Sequence, residues 1–337
     1  SGHYYLSKNV TLADQLELSG LDVVIDLGGS TLTASETKRA FSLSNGATLS
    51  FLDTSVGATG TVKGATNSSG GGATIYAASG SVVNLYSGTI TGGTTDSYAA
   101  EGSTSTSHSG GNFQLEDSTF NMYGGTVSGG KSSFGGNFAL FSNAVINLYG
   151  GTVTGGESSY VKANTLNQAL RGGGNMYIAS GSVLNMYGGT ISDGSARRVG
   201  GNISTWTSSV VNMYGGTISG GTSLTTEGYN TSARCSGLFV YRGTNYGSFY
   251  MYGGFLDSNL TYYGDATDMI IYNGKLKSNP TSVVNSRGSA TNRANALADC
   301  SCYTTDGVYY TGWHTGDNTG LCTCGIDYAT KAATIYS

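Results

Sequence analysis

Apolar residues along this chain alternate with polar ones in short bursts, at the period of two that a pleated strand requires. Phe120-Asn121-Met122, Ile146-Asn147-Leu148, Leu184-Asn185-Met186 and Val211-Asn212-Met213 all follow it, and each is followed by Tyr-Gly-Gly. The bursts belong to a longer unit, N-(L/M)-Y-G-G-T-(I/V)-(S/T)-G-G, read from Asn84, Asn121, Asn147, Asn185 and Asn212 with small variations. Self-similarity at periods of 20–50 residues marks a solenoid, whose units bury their apolar faces only by stacking. Extending the alignment outward places Asp26, Ser50, Asn84, Asn121, Asn147, Asn185, Asn212, Tyr250 and Ile270 in one column. These nine coils are separated by 24, 34, 37, 26, 38, 27, 38 and 20 residues. At one strand spacing per coil they predict a rod roughly 40 Å long.

Each coil carries two further strands. One begins after Gly-Gly-Asn (Phe113 and Leu115, Phe138 and Leu140, Met176 and Ile178), and the other is the Thr-(Ile/Val)-(Ser/Thr) piece holding Ile90, Val127, Val153, Ile191 and Ile218. Three strands per coil with glycine at the corners predict an all-β, parallel β-helix of triangular section. The one proline, Pro280, lies past the last repeat, where no ladder N–H is lost. In this register Met122, Leu148, Met186 and Met213 point inward, while Tyr123, Tyr149, Tyr187 and Tyr214 share the outer face with the asparagines. Residues 1–283 are expected to form the β-helix with its N-terminal cap, and 284–337 a small cap of different composition.

Composition narrows the function classes. With 55 glycines in 337 residues, 24 tyrosines and only 11% charged residues, the chain suits a hydrogen-bonded stack of short strands. A net charge of −4 with scattered basic residues argues against nucleic acid as a partner. No apolar run approaches the ~18 residues of a membrane span. Tyr4-Tyr5-Leu6 already reads as a capping strand, so Ser1 is expected to be the processed start of a secreted protein.

The opening YYLSKNVTLADQLELSGLDVVIDLGGSTLTA, the N-M-Y-G-G-T-I-S-G-G coils and the Cys-x-Cys tail together resemble the β-helical, adhesin-like surface proteins of gut Firmicutes. Those proteins belong to the pectin-lyase-like superfamily, and the resemblance implies a right-handed parallel β-helix. The resemblance covers residues 1 to about 280. It implies a β-helix on a cell surface or secreted from it, and it does not select among the lyases, hydrolases, tailspikes and inert stalks of that superfamily.

Cys300-Ser301-Cys302 and Cys322-Thr323-Cys324 admit two chemistries: four thiolates on zinc, or two disulfides stapling a loop-rich cap. Zinc sites typically use Cys-x-x-Cys, which favours disulfides, and the strain of a ring closed within one motif favours pairing between motifs. Cys235 is left over, as a free thiol or an intermolecular partner.

Candidate chemistry lies at one corner. After the third-strand Gly-Gly the chain inserts Thr94–Ser109, Lys131–Phe134, Glu157–Arg171, Ser195–Val199 and Thr222–Arg234, long and short in alternation. The long insertions carry Tyr98 with Asp96 and Glu101, Tyr160 with Glu157, and Tyr229 with Glu227, beside amides such as Asn164 and Asn167. Aromatic rings cover the C–H faces of sugars while carboxylates and amides take hydroxyls, so a glycan or host-surface ligand is the expected partner. Solvated insertions on a tolerant scaffold are the alternative. The tyrosine column has two readings as well, a structural ladder or a platform for glycans or for another copy of the protein. Enzymatic motifs are sparse. Glu116-Asp117 sends its two carboxylates to opposite faces, His3 and His108 stand isolated, and Arg197-Arg198 reads as a solvated turn. A pair such as Glu101 and Glu157, on neighbouring long insertions, is the candidate for acid and base in glycan cleavage. No cofactor is expected and no metal, since the nonapeptide calcium repeat is missing. The expectation is therefore an extracellular binding or structural module, an adhesin fragment, with a glycan-cleaving enzyme and a self-assembling stalk as alternatives.

Overall fold

The computed structural model describes residues 1–66, 68, 70–99, 108–160, 172–224, 237–241, 247–258, 260–263, 269–271, 273–276, 301–303 and 309–312. They form a parallel β-helix. Sheet A, of ten strands, stacks the asparagine-column segments: Asp22–Asp26, Thr48–Leu52, Val82–Leu85, Thr119–Met122, Val145–Leu148, Val183–Met186, Val210–Met213 and Ser248–Met251, closed at the ends by Gly2–Tyr5 and Met269–Ile271. Sheet B holds the Thr-x-Thr/Ser strands, and sheet C the strands that follow Gly-Gly-Asn, such as Phe113–Glu116 and Phe138–Phe141.

Alternation produces the core. Met122, Leu148, Met186 and Met213 are fully buried and in register on neighbouring strands, and Val127, Val153 and Ile191 close the same core from sheet B. Sheet C adds Phe113 and Phe138, whose rings stack at 4.6 Å and 8°. Two asparagine columns run along this frame. The outer one is a chain of amide bonds: Asn121 donates to Asn84, Asn147 to Asn121, Asn185 to Asn147 and Asn212 to Asn185, all at 2.9–3.0 Å. The inner one is made of the asparagines of Gly-Gly-Asn. Asn112, Asn137, Asn175 and Asn202 are completely buried and linked amide to amide at 2.8–2.9 Å. Each also accepts from a glycine N–H and donates to a carbonyl of sheet B, as Asn137 does with Gly130 and Thr154.

Four features differ from the sequence expectation. The first coil is displaced by two residues: Val24, not Asp26, pairs with Ser50, and Asp26 lies opposite Leu52. Parity survives, so Ile25 still faces inward. The surplus is absorbed at the corner, where Asp26 accepts from the N–H groups of Gly28 and Thr54 and from the Thr54 hydroxyl. Second, a fourth parallel sheet, D, exists. Lys131–Ser132, Glu157–Ser158, Ser195–Ala196 and Thr222–Ser223 pair in register, so the starts of the insertions are strands and not free loops. Third, glycine does not make every corner. Between sheets C and A the left-handed residues include Asn45, Ser79, Asp117, Asn143, Ser180 and Ser208, most of them short polar residues that tolerate this region.

The fourth concerns the outer face of sheet C, where a second apolar cluster lies. Phe141, Tyr177, Trp206 and Phe239 point away from the main core and are covered by Phe134, Tyr160 and Val199 from the insertions. In the expected cap, Ser301–Tyr303 and Tyr309–Gly312 form an antiparallel pair that adds to sheet B through Asn273–Leu276. The side chains of Cys300, Cys302, Cys322, Cys324 and Cys235 lie outside the described residues.

Candidate functional site

The insertions meet at the corner between sheets B and C. Three successive coils each supply one side chain there: Tyr98 from a single helical turn (Asp96–Ala99), Lys131 and Glu157 from sheet D. Register sets the pair, because Lys131 lies directly opposite Glu157 in the ladder. Lys131 Nζ is 2.8 Å from one carboxylate oxygen of Glu157, and the Tyr98 hydroxyl donates to the other at 2.7 Å. The ammonium also sits 5.5 Å from the centre of the Tyr98 ring, a cation–π contact. Beside them the Nδ1 of His108 is 2.7 Å from an Asp96 carboxylate oxygen.

Buried hydroxyls support the turn. Ser97 donates to the carbonyl of His108 at 2.6 Å and accepts from the N–H of Ser133, while Thr95 Oγ1 lies 2.8 Å from Ser97 Oγ. The charged side chains above remain a third or more exposed, so the patch is built from below and open to solvent. Burial pushes the Glu157 carboxyl up, but the hydrogen bonds from Lys131 and Tyr98 outweigh it and hold the group below the ordinary glutamate range. Glu157 is therefore a firmly ionised acceptor at neutral pH.

Several expected site residues fall elsewhere. Tyr160 does not stand at the edge of a groove. It is fully buried, its ring 4.6 Å from that of Phe134, because the chain leaving Glu157–Ser158 runs across the apolar outer face of sheet C. His108 is not isolated, being paired with Asp96. Glu101, Glu227 and Tyr229 lie outside the described residues, as do Asn164 and Asn167. Lys131 escaped the sequence analysis, although Gly-Gly-Lys-Ser and Gly-Gly-Glu-Ser at equivalent repeat positions would have revealed an opposed pair. Among the described residues no three His, Cys, Asp or Glu side chains come together as a metal site, and no helix is long and apolar enough to cross a membrane.

Two other surface features stand apart. On sheet C the Arg39 guanidinium lies 4.9 Å from the Tyr76 ring centre, and the Tyr76 hydroxyl donates to Glu116 at 3.1 Å. Burial and the neighbouring Glu116 push the Tyr76 phenol up. On sheet A, Tyr86, Tyr123, Tyr149, Tyr187, Tyr214 and Tyr252 form one continuous stack, with centroids 4.9–5.1 Å apart and planes within 10°. Each ring remains 40–48% exposed. No protein-family model, curated protein or solved structure matches this chain.

Proposed function

We propose that this chain is a secreted or cell-surface β-helical module, an adhesin-like fragment in which the rod is structural and the loop corner binds a glycan or host-surface ligand. The observation that carries this reading is the Tyr98–Lys131–Glu157 constellation with Asp96 and His108. An aromatic ring, a cation and two carboxylates from three successive coils are fixed in one solvent-facing patch. Sugars are recognised by this combination, in which rigid polar groups take hydroxyls next to an aromatic surface. The resemblance of the repeat to surface β-helices supports the extracellular setting.

Glu157 is pulled below the ordinary glutamate range, which suits it to accept hydrogen bonds from a ligand and leaves it only the base or nucleophile role, not that of the proton-donating acid, in a cleaving enzyme. The test is an array of mucin-type and plant glycans probed with the full chain, followed by incubation of each hit and analysis for new reducing ends. Retention without cleavage is expected. Cleavage that disappears in Glu157→Gln would replace the binder with a hydrolase.

A further inference from the structure

The outer face of sheet A is made of three columns: Val or Thr (Val82 to Val210), Asn (Asn84 to Asn212) and Tyr (Tyr86 to Tyr252). None of these positions carries a charge over six consecutive coils. Strand alternation explains why these residues point outward, but it does not explain a long, flat, half-apolar surface without a lysine or glutamate. Exposed sheet faces ordinarily carry such charges against unwanted association.

We propose that this face is a self-association surface, on which two copies of the chain pack sheet A against sheet A. The choice of occupant rests on what the columns leave available. The tyrosine faces are covered by their neighbours along the stack, so a sugar lying on this face would meet ring edges. Each asparagine amide is already bonded to the next along the rod, which reduces its capacity for hydroxyls. A partner must therefore repeat every 4.9–5.1 Å to interlock with the rings, and a second copy carries that spacing by construction. The area is adequate. At 40–48% exposure each, the six tyrosines offer on the order of 500 Å², and the Val/Thr and Asn columns bring the face towards the ~800 Å² per partner of a stable interface.

Symmetry selects the arrangement. A two-fold axis parallel to the rod and centred on the asparagine column sets each tyrosine column against the partner's Val/Thr column, large side chains against small. The antiparallel alternative would oppose tyrosine to tyrosine and valine to valine, leaving a gap. In the parallel arrangement both rods point the same way.

Sedimentation velocity and light scattering on the full chain, over about a hundredfold range of concentration, test this directly. A dimer mass is expected for the native chain. Tyr149→Glu and, separately, Val183→Glu should each weaken dimerisation by at least about tenfold, with unchanged far-UV circular dichroism. Thr152→Glu on sheet B should leave the dimer intact. Should Tyr149→Glu fail to fold, Val183→Glu decides alone, since it charges the opposite column. A chain that stays monomeric at the highest concentration, or a dimer that survives both sheet A substitutions, overturns the proposal.

Discussion

Asn137→Ala removes the middle of the inner amide ladder and should be among the most damaging single polar substitutions in the chain. Asn137 is completely buried and its side chain takes part in four hydrogen bonds. It donates to Thr154 O at 2.9 Å and Asn175 Oδ1 at 2.8 Å, and accepts from Asn112 Nδ2 at 2.8 Å and Gly130 N at 3.0 Å. Asn175 Oδ1 retains the Gly156 N–H, and Asn112 keeps its bond to Ser128 O. The uncompensated losses are one Asn112 N–H and the Gly130 N–H, because the Thr154 carbonyl keeps the Gly129 N–H at 3.3 Å. Each orphaned buried group costs about 1–3 kcal/mol. A water entering the vacated amide volume would recover part of this, so a destabilisation of about 3 kcal/mol is expected. Asn147→Ala is the matched control, because the outer ladder is half-exposed and solvent replaces the lost bonds, at a cost of about 1 kcal/mol or less. Solenoids depart from two-state unfolding, so urea melts should be paired with amide hydrogen exchange at the flanking coils. Equal, small effects for Asn137→Ala and Asn147→Ala would refute the idea that the inner ladder pins the corner.

Met186 is fully buried, so Met186→Asp should abolish folding by burying an unpaired charge, whereas Met186→Ala should cost about 2–5 kcal/mol in chemical denaturation. A Cβ at Gly188 would sit 2.5 Å from the Tyr149 carbonyl oxygen of the coil beneath, so Gly188→Ala should lower the melting temperature, with an overpacking cost of about 1–3 kcal/mol. Gly181→Ala is a less informative control, because Gly181 lies at φ +78°, where alanine is strained whatever its neighbours. Asp53 is buried, and burial raises its pKa. The hydrogen bonds from Ser55, Gly60 and Gly29 outweigh that and hold it below the ordinary range. Its folded pKa lies under its unfolded one, so its contribution is fully present above about pH 4 and is lost as pH falls through the folded value. Acid titration of stability should therefore show a smaller decline below pH ~4 for Asp53→Asn than for the native chain.

The repeat made much of this architecture legible, because period two is unambiguous wherever one face is buried. That is why the inward methionines and outward tyrosines follow directly from Phe120-Asn121-Met122-Tyr123 and its copies. Register was less secure at the first coil. Asp26 resembles an asparagine-column residue, and a shift of two residues leaves the pattern of faces unchanged. Sheet D was hidden because its strands are only two residues long, too short to display alternation. The burial of Tyr160 could have been suspected from the sheet C strands themselves. Phe138-Ala139-Leu140-Phe141 and Met176-Tyr177-Ile178 are apolar on both faces, the signature of a strand covered on both sides. The insertions had therefore to supply a cover, and a tyrosine in them was as suited to that as to a ligand. The Lys131–Glu157 pair depends on how successive coils stack, which residue spacing within one insertion does not encode, and the Asp96–His108 pair joins the two ends of the Thr94–Ser109 insertion.

The most direct test of the proposed binding corner is the affinity of the full chain for its strongest array hit, measured by biolayer interferometry alongside Tyr98→Ala and Tyr160→Ala. Tyr98→Ala should lose at least about tenfold in affinity; it also gives up the bond to Glu157 and the contact with Lys131, so its circular dichroism and melting temperature are recorded alongside to establish that it folds. Tyr160→Ala should lower the melting temperature, because that ring fills the outer cluster of sheet C. Undiminished affinity in a folded Tyr98→Ala variant would contradict the assignment of the loop corner as the ligand site.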